Sequence, residues 1–323
     1  MKKVLITSTS FGKFIKKPLD LLAGKGYEIV TNRFSRPLKE AEMIEEIKDI
    51  DGIIVGVDEI TDKVLKTGNK LKVVSKYGTG VDNINIEVAT KLNIVVTNTP
   101  DTNTEAVADL AFGLILALAR KIPLADKTTK EKKWERISGV EVYAKTLGIV
   151  GLGKIGRAVA KRAKGFNMNI LAYDVVVDNK FIKENKITLV SLNELLKSSD
   201  FVTIHMPLTK ETKNFIGKEQ LELMKNGSFI INTSRGGIVD EDVLYKVLKS
   251  NKIAGAALDA YTKEPPVDSP FLALDNVITT PHIGAYTMEA LEKMGMIAAQ
   301  NLIDVFEGKR PVYTVNPEAF KKS

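Results

Sequence analysis

Short apolar runs alternate with helical patterns from the first residues of the chain onward. The apolar runs predict about five strands, at residues 4–7, 29–30, 53–55, 71–74 and 94–96. The segments between them predict helices, around residues 18–23, 38–47, 64–65 and 88–92. Near-continuous Val and Ile strands separated by helices are typical of a parallel sheet that is covered on both faces. The pattern therefore predicts a first α/β unit.

The pattern changes after this unit. Thr102 and Glu105 stand at capping-box spacing before a helix predicted over residues 103–120, which is apolar almost all round. Such a helix must be covered on all sides, so we expect it at the junction of two domains. Residues 121–145 are predicted to be polar and irregular and contain the only tryptophan, Trp134. The sequence alone is compatible with two interpretations of this segment, an exposed arm that contacts another subunit and an ordinary surface loop.

A second alternation of strands and helices begins near residue 146. Its apolar runs predict six strands, at residues 147–150, 170–173, 201–204, 229–232, 254–258 and 277–279. Six strands make a full dinucleotide-binding sheet. The following residues 287–306 predict one long helix that packs back on the first domain. We therefore expect one domain of residues 1–98 plus 290–323, and a second of residues 99–289.

Length and composition agree with two globular domains. The chain has 323 residues, of which 44% are hydrophobic and 27% charged. The absence of cysteine from the sequence excludes a disulfide framework, an iron-sulfur cluster, a thiolate zinc site and a cysteine nucleophile. The 47 basic and 40 acidic residues are interspersed, without the basic patch that nucleic-acid binding needs. No nucleic-acid partner and no metal site are expected.

Neither a signal peptide nor a membrane span is expected. The N-terminal apolar run covers only residues 4–6, far short of a secretory signal. The longest apolar stretch, residues 106–119, contains Asp109 and is shorter than the roughly 20 residues that cross a bilayer. The expectation is a cytoplasmic protein without a membrane partner.

A glycine-rich turn follows the first strand of the second alternation directly and opens a helix. Gly151, Gly153 and Gly156 have the spacing of a dinucleotide-binding turn, in which free N–H groups face a pyrophosphate. The next predicted strand ends at Asp174, where a carboxylate would bond the ribose hydroxyls. The valine at position 175 and those after it supply no cation for a 2′-phosphate. The sequence therefore predicts NAD rather than NADP.

Hydride transfer from an alcohol also needs a proton acceptor, and histidine is the usual one. The sequence contains two histidines, His205 and His282, and each follows a predicted strand of the second sheet. Both would lie at the carboxyl edge of an open sheet, where ligands bind. From the pattern alone, either could be structural.

Four further motifs resemble a known family. Residues 232–240 read Asn-Thr-Ser-Arg-Gly-Gly-Ile-Val-Asp, residues 258–261 Leu-Asp-Ala-Tyr, residues 281–285 Pro-His-Ile-Gly-Ala and residues 77–83 Tyr-Gly-Thr-Gly-Val-Asp-Asn. Together with Glu264 and the glycine-rich turn, they resemble the signatures of the D-isomer-specific 2-hydroxyacid dehydrogenases. The resemblance covers the chain from residue 71 nearly to its end. Within the family, it is most similar to short phosphoglycerate dehydrogenases.

The resemblance implies two doubly wound α/β domains, a flavodoxin-like substrate domain and a Rossmann NAD domain, with an interdomain cleft. It implies a catalytic trio of Arg235, Glu264 and His282. Arg235 would hold the substrate carboxylate through its fork of donors. His282 would exchange a proton with the hydroxyl, while Glu264 would orient the ring and favour its protonated form.

The resemblance also implies the residues that contact cofactor and substrate. Those facing NAD would be Thr79, Gly151, Gly153, Lys154, Ile155, Gly156, Asp174, Thr233, Ser234, Arg235, Asp259, His282, Gly284 and Ala285, with His205 behind them. Those facing the substrate would be Lys76, Tyr77, Gly78, Thr79, Gly80 and Arg136. Residues 121–145 would form the arm of a homodimer.

The resemblance implies a 2-hydroxy or 2-keto acid as substrate, with D-3-phosphoglycerate, the precursor in serine biosynthesis, expected first. Lys76 and Arg136 match phosphate-binding positions, but residues 57–60 carry acidic side chains where many relatives have arginine. A glyoxylate or hydroxypyruvate reductase therefore stays an alternative. An NAD-sensing, corepressor-like binding protein is an alternative of another class. Formate dehydrogenases are disfavoured by Glu264, where they carry Gln, and homocysteine-type hydrolases by the lack of cysteine.

Overall fold

The computed structural model describes residues 1–34 and 36–320, and they form two compact units. One unit comprises Met1–Asn103 and the chain from Ala285 onward, and the other is Thr104–Gly284. The boundaries lie at residues 103 and 284 rather than at the expected 98 and 289. The first difference has a local cause, because the Thr99 N–H donates to the Gly78 carbonyl (3.0 Å) and holds this segment in the first unit.

The first unit is built on a parallel five-stranded sheet. Its strands are β1 (Lys3–Ile6), β2 (Glu28–Thr31), β3 (Gly52–Val55), β4 (Val73–Lys76) and β5 (Val95–Thr97). They lie in the order β2-β1-β3-β4-β5. The chain therefore adds β2 on one side of β1 and the later strands on the other side. That order is the flavodoxin-like one, with ligand sites outside the carboxyl ends of the strands.

Helices cover both faces of this sheet. They are α1 (Lys17–Gly24), α2 (Glu40–Glu46), α3 (Asp62–Thr67), α4 (Ile86–Lys91) and a C-terminal helix, Met288–Phe306. The C-terminal helix packs against α1 and β4, as the sequence predicts, and the Ser75 hydroxyl donates to the Ala298 carbonyl (2.8 Å). The residues on the two faces of β3 are fully buried because each face meets helices.

The second unit contains a parallel seven-stranded sheet. Its strands are β6 (Thr146–Val150), β7 (Asn169–Tyr173), β8 (Thr188–Leu189), β9 (Phe201–Ile204), β10 (Phe229–Asn232), β11 (Gly255–Leu258) and β12 (Val277–Thr279). The order is β12-β11-β10-β9-β6-β7-β8, which confirms the predicted doubly wound fold. The prediction of six strands missed β8. Its two residues are exposed at the sheet edge and belong to the short run Ile187–Val190, whose pairing with β7 the sequence pattern does not show.

The helices of the second unit are α5 (Thr104–Ala119), α6 (Ile122–Lys130), α7 (Lys154–Lys164), α8 (Asn179–Asn185), α9 (Leu192–Ser198), α10 (Lys218–Leu223) and α11 (Glu241–Lys249). The apolar helix α5 packs on α7, β10 and β11 within this unit. The prediction of an irregular segment from residue 121 was wrong for α6. Pro123 pre-sets the backbone of its first turn, and Thr128 is its one buried residue, so the segment reads as polar in the sequence.

Among the described residues, no helix has both the length and the apolar character that a membrane span requires. The same part of the chain contains no group of three or more His, Asp or Glu side chains that could hold a metal ion.

Candidate active site

The turn between β6 and α7 leaves an open surface for a phosphate group. Gly151 has a φ of +96°, and a Cβ there would lie 2.8 Å from the carbonyl of His205. A Cβ on Gly156 would lie 2.1 Å from the Gly151 oxygen, so only glycine fits at both positions. At Gly153, by contrast, no protein atom lies within 4 Å of the Cβ position. Lys154 and Ile155 are the first residues of α7, and the N–H groups of its first turn can donate hydrogen bonds to an anion.

Asp174 follows β7 and is hydrogen-bonded to this turn. Its Oδ2 accepts from the Leu152 N–H (2.5 Å) and its Oδ1 from the Val176 N–H (2.8 Å). The carboxylate therefore helps to order the glycine-rich turn, a contact that the motif alone did not indicate. The side chains of Val175 and Val176 are exposed beside it. The neighbourhood suits ribose hydroxyls and has no cation for a second phosphate in the segment 174–177.

Two buried polar atoms lie just beyond the adjacent strands β9 and β10. Nδ1 of His205 and Oγ1 of Thr233 are both buried, and neither has a hydrogen-bond partner among the described residues. The other ring nitrogen of His205, Nε2, pairs with Thr203 Oγ1 at 2.9 Å. Burial of the ring lowers the pKa of His205 to about 3, so this histidine is neutral at physiological pH.

These features together fit a bound dinucleotide. Buried polar atoms are normally paired, so the orphaned atoms of His205 and Thr233 are consistent with groups that a ligand satisfies. They lie at the same sheet edge as Gly153 and Asp174. The glycine-rich turn would take the pyrophosphate and Asp174 the adenosine ribose, which leaves the ends of β9 and β10 for the nicotinamide half.

The loop after β10 presents Arg235. Asn232, the buried last residue of the strand, accepts from the Ser234 N–H (3.0 Å) and hydroxyl (2.7 Å) and donates to the Arg235 carbonyl (2.8 Å). The Arg235 guanidinium itself donates to the Ser234 carbonyl (2.9 Å). Asn232 therefore shapes the loop. Sequence reasoning missed this role, although a polar residue ending an apolar strand was a signal for it.

Gly236 brings the Arg235 loop against the chain that follows β11. A Cβ at position 236 would lie 1.9 Å from the Tyr261 carbonyl carbon, so the two backbones are in direct contact. The segment it touches leads to Glu264. The Tyr261 N–H donates to Glu264 Oε1 (3.1 Å), and the Tyr261 hydroxyl donates to the carbonyls of Leu258 (2.8 Å) and Thr280 (3.0 Å). Tyr261 thereby links the ends of β11 and β12.

Glu264 and His282 form a paired acid and base. Nδ1 of His282 lies 2.9 Å from Oε2 and 3.0 Å from Oε1 of Glu264, and about a third of each side chain is exposed. Burial alone would raise the pKa of Glu264. The hydrogen bond and charge of His282, the Tyr261 N–H and the charge of Arg235 outweigh that effect and lower the pKa below its ordinary value. Glu264 is therefore an anion at neutral pH.

Asp259 fixes the loop that carries His282. Its buried carboxylate accepts from the N–H groups of Ile283 and Gly284, both at 2.8 Å, and from the Thr280 hydroxyl at 2.6 Å. His282 itself has a positive φ of +53°, a backbone conformation that such clamping can hold. The structure thus gives Asp259 a positioning task, while its predicted contact with the cofactor stays a prediction.

The predicted substrate residues of the first unit lie at the end of β4 and in the turn after it. Lys76 is only 6% exposed, and its Nζ donates to the Gly56 carbonyl (2.5 Å) and to Asn83 Oδ1 (2.7 Å). The Tyr77 hydroxyl donates to the Leu291 carbonyl (3.3 Å). Gly78, Thr79 and Gly80 form the turn beyond the strand, and Thr79 Oγ1 donates to the Thr99 carbonyl (3.3 Å).

Two further predicted site residues are Ala285, which packs against the core cluster that contains Tyr77, and Arg136. Ala285 belongs to the first unit, where it packs against the core that includes the C-terminal helix. Arg136 belongs to the second unit and is exposed, like its neighbour Trp134. The structure brings Arg235, Glu264 and His282 to the same side of the second sheet as the glycine-rich turn, at the carboxyl ends of its strands. It places Lys76 to Gly80 at the carboxyl end of β4 in the first sheet.

Known proteins resemble this chain along most of its length. Residues 112–284 match the family model described as "D-isomer specific 2-hydroxyacid dehydrogenase, NAD binding domain". A D-3-phosphoglycerate dehydrogenase of Methanocaldococcus jannaschii is 46% identical over 86% of this chain. A glyoxylate reductase of Korarchaeum cryptofilum is 45% identical over 88% of each chain. The chain spans about half the length of the phosphoglycerate dehydrogenases it matches, 54% in the first case.

Solved structures are similar to this chain along nearly its whole length. The crystal structure of D-lactate dehydrogenase from Aquifex aeolicus, complexed with NAD and lactic acid, superposes with a TM-score of 0.86 at 30% identity. The match covers 97% of this chain and 99% of that one.

Proposed function

Because the chain belongs to the D-isomer-specific 2-hydroxyacid dehydrogenases, NAD-dependent oxidoreductases, we propose that it reduces a small, unphosphorylated 2-keto acid such as glyoxylate or hydroxypyruvate. The product would be the corresponding 2-hydroxy acid, glycolate from glyoxylate or D-glycerate from hydroxypyruvate, and the reverse oxidation would use the same groups. The observation that carries this choice of substrate is the environment of Lys76. The catalytic roles of Arg235, Glu264 and His282 are part of the same proposal.

The three side chains divide the chemistry between them. The guanidinium of Arg235 holds the substrate carboxylate and polarises the C2 oxygen. Bound NADH supplies the hydride that C2 accepts. His282 gives the proton that the C2 oxygen takes up, so one hydride and one proton convert the ketone to the alcohol. In the oxidation, His282 takes that proton back.

Glu264 prepares His282 for this task. The carboxylate pairs with Nδ1, which leaves Nε2 as the nitrogen that exchanges a proton with the substrate. Because Glu264 is an anion, it stabilises the protonated imidazole that must be present before reduction. Tyr261 holds the loop that carries Glu264, and Asp259 holds the loop that carries His282. Together they keep the two side chains within hydrogen-bond distance.

Lys76 is poorly suited to bind a phosphate dianion. Its ammonium group donates to Gly56 and Asn83, and those bonds would have to weaken before it could turn to a ligand. Its surroundings are also acidic. Burial and the charge of Asp82 raise the pKa of Glu59, with the charge of Lys76 acting in the opposite direction. A dianion at this position would meet carboxylates that already share the lysine charge.

D-3-phosphoglycerate dehydrogenase, an enzyme of serine biosynthesis, is the second candidate function. Three of the similar relatives carry that name, at 46%, 44% and 44% identity. The presence of a cation at position 76 and the exposed Arg136 favour it as well. In this case Lys76 would exchange its internal partners for the substrate phosphate, and Arg136 would act from a second copy of the chain.

A homodimer through residues 121–145 belongs to the proposal. The segment exposes large apolar side chains that a second copy would cover: Trp134 at 86%, Tyr143 at 61% and Val140 at 45%. Trp134→Ala in the full chain should shift the molecular mass measured by light scattering toward the monomer. An unchanged mass would remove this segment from the interface.

A substrate panel tests the function. NADH oxidation would be followed with glyoxylate, hydroxypyruvate and 3-phosphohydroxypyruvate, each over a range of concentrations. The proposal expects a higher kcat/KM for hydroxypyruvate than for its phosphorylated form. The reverse order would establish the second candidate. NADH binding without turnover of any 2-keto acid would instead indicate a binding protein that senses NAD(H).

A further inference from the structure

Glu241 joins the two loops that carry the proposed catalytic groups. It is the first residue of α11, which follows the Arg235 loop along the chain. Its Oε1 accepts from both the N–H (2.6 Å) and the hydroxyl (2.8 Å) of Thr262, in the loop that leads to Glu264. One carboxylate oxygen thus holds the backbone and the side chain of the same residue.

The bonded segment is the one on which Glu264 depends. Tyr261, the residue before Thr262, donates its N–H to Glu264 Oε1 (3.1 Å), and Glu264 pairs with His282. Gly236 lets the opposite loop touch the same Tyr261–Thr262 peptide bond. Any movement of Thr262 therefore displaces both the support of the Glu264 carboxylate and the surface against which the Arg235 loop rests.

We propose that Glu241 is a positioning residue for catalysis, which sets the distance between Glu264 and His282 through Thr262. The inference rests on the proposed function of the trio. Glu241 is well placed for this task because it stands on a helix whose N-terminus is capped by Asp240, which accepts from the Val243 N–H (3.1 Å). A carboxylate oxygen is a stronger acceptor than a neutral one, and Oε1 accepts two hydrogen bonds from Thr262. Small displacements of reacting groups have large effects on rate.

The test compares three variants of the full chain in NADH-dependent reduction of hydroxypyruvate. Glu241→Ala removes the contact, Glu241→Gln keeps an acceptor oxygen, and Asp242→Ala is the matched control, since it removes a neighbouring exposed acid from the same helical turn. Glu241→Ala should lower kcat on the order of tenfold, with NADH affinity unchanged by fluorescence titration. Glu241→Gln should recover most of that loss, and the control should retain the original kcat.

The pH profile separates positioning from a general loss of stability. In Glu241→Ala, the alkaline limb of the reduction should move to lower pH, in the same direction as in Glu264→Gln, because the Glu264 anion no longer faces His282 closely. The double variant should show no further movement beyond Glu264→Gln alone. Thr262→Val, which keeps the backbone N–H and loses the hydroxyl, should have an intermediate effect.

Two outcomes would overturn the inference. One is a Glu241→Ala enzyme with unchanged kcat and pH profile, and the other is a lower kcat with an unmoved alkaline limb, which would mean that the contact serves stability only. Both are distinct from failure of the proposed function, in which the original chain itself would not turn over a 2-keto acid.

Discussion

Both carboxylate oxygens of Glu264 face Nδ1 of His282, at 2.9 and 3.0 Å, and the backbone N–H of Tyr261 holds one of those oxygens in place. The pairing fixes which ring nitrogen can serve a substrate. It also puts a negative charge beside the ring at neutral pH, because the pKa of Glu264 is lowered despite partial burial. The proposed proton exchange follows from that arrangement.

Removal of this charge should change the pH dependence of the reaction. In Glu264→Gln, the amide can still meet the ring but no longer stabilises the imidazolium, so the alkaline limb of keto-acid reduction should begin at lower pH. The measurement is kcat/KM for hydroxypyruvate across pH in both enzymes. An unmoved limb would refute the coupling between Glu264 and His282.

The same carboxylate predicts how acid affects stability. The pKa of Glu264 in the folded protein lies below its unfolded value, so its contribution to the free energy of unfolding is fully present above pH about 4.5 and is lost as the pH falls. Urea unfolding of the original chain and Glu264→Gln should therefore differ more at neutral pH than at pH about 3. An equal difference at both would show that the charge of the Glu264 carboxylate does not stabilise the fold.

Asp174 should determine the choice of cofactor. A carboxylate at the end of β7 can pair with ribose hydroxyls but repels a 2′-phosphate, so NADH should be used with a much higher kcat/KM than NADPH. Asp174→Ala should narrow that gap, mainly by weakening NADH binding. Asp174→Asn separates the two roles, because it keeps an acceptor for the Leu152 N–H and loses the charge. A kcat/KM for NADPH at or above that for NADH in the original chain would contradict this account.

Lys76 distinguishes the two candidate substrates. If the lysine serves the structure, Lys76→Met should lower stability through the loss of its bonds to Gly56 and Asn83, and should affect phosphorylated and unphosphorylated substrates alike. If it binds phosphate, KM for 3-phosphohydroxypyruvate should rise at least about tenfold, or about 1.4 kcal/mol, with little change for glyoxylate. Steady-state kinetics with both substrates decide between these outcomes.

Asn232 should matter although it carries no chemistry of its own. Asn232→Ala leaves the Ser234 N–H and the Arg235 carbonyl without their partner, at a cost of about 1–3 kcal/mol in the free energy of unfolding. Because the freed loop carries Arg235, KM for the keto acid should rise as well. A stability loss without any change in KM would show that the loop keeps its shape without Asn232.

The sequence predicted what depends on local pattern. The alternation of apolar runs gave both parallel sheets, and the glycine spacing correctly placed the turn at Gly151 to Gly156, where two of the three glycines admit no side chain. The short strand β8 and the helix α6 were not predicted, because both residues of β8 are exposed and α6 buries Thr128 alone. Tertiary contacts decide such segments.

The supporting contacts of the site also escaped sequence analysis. The pairing of Asp174 with Leu152, of Glu241 with Thr262 and of Tyr261 with two strand ends joins residues far apart in the chain. Each is a common residue type with no spacing rule that would single it out. Burial of Lys76 was likewise not visible in the sequence, which shows a cation but not the direction of its side chain.

His282, rather than His205, is expected to exchange the proton with the substrate, and single-turnover oxidation of enzyme-bound NADH by hydroxypyruvate distinguishes the two histidines. NADH affinity would be measured on the same samples. We expect His282→Ala to bind NADH normally and to oxidise it more slowly by a factor on the order of 10² to 10⁴, with a far smaller loss in His205→Ala, whose ring stays neutral. Equal losses in the two variants, or an unimpaired rate in His282→Ala, would contradict the account.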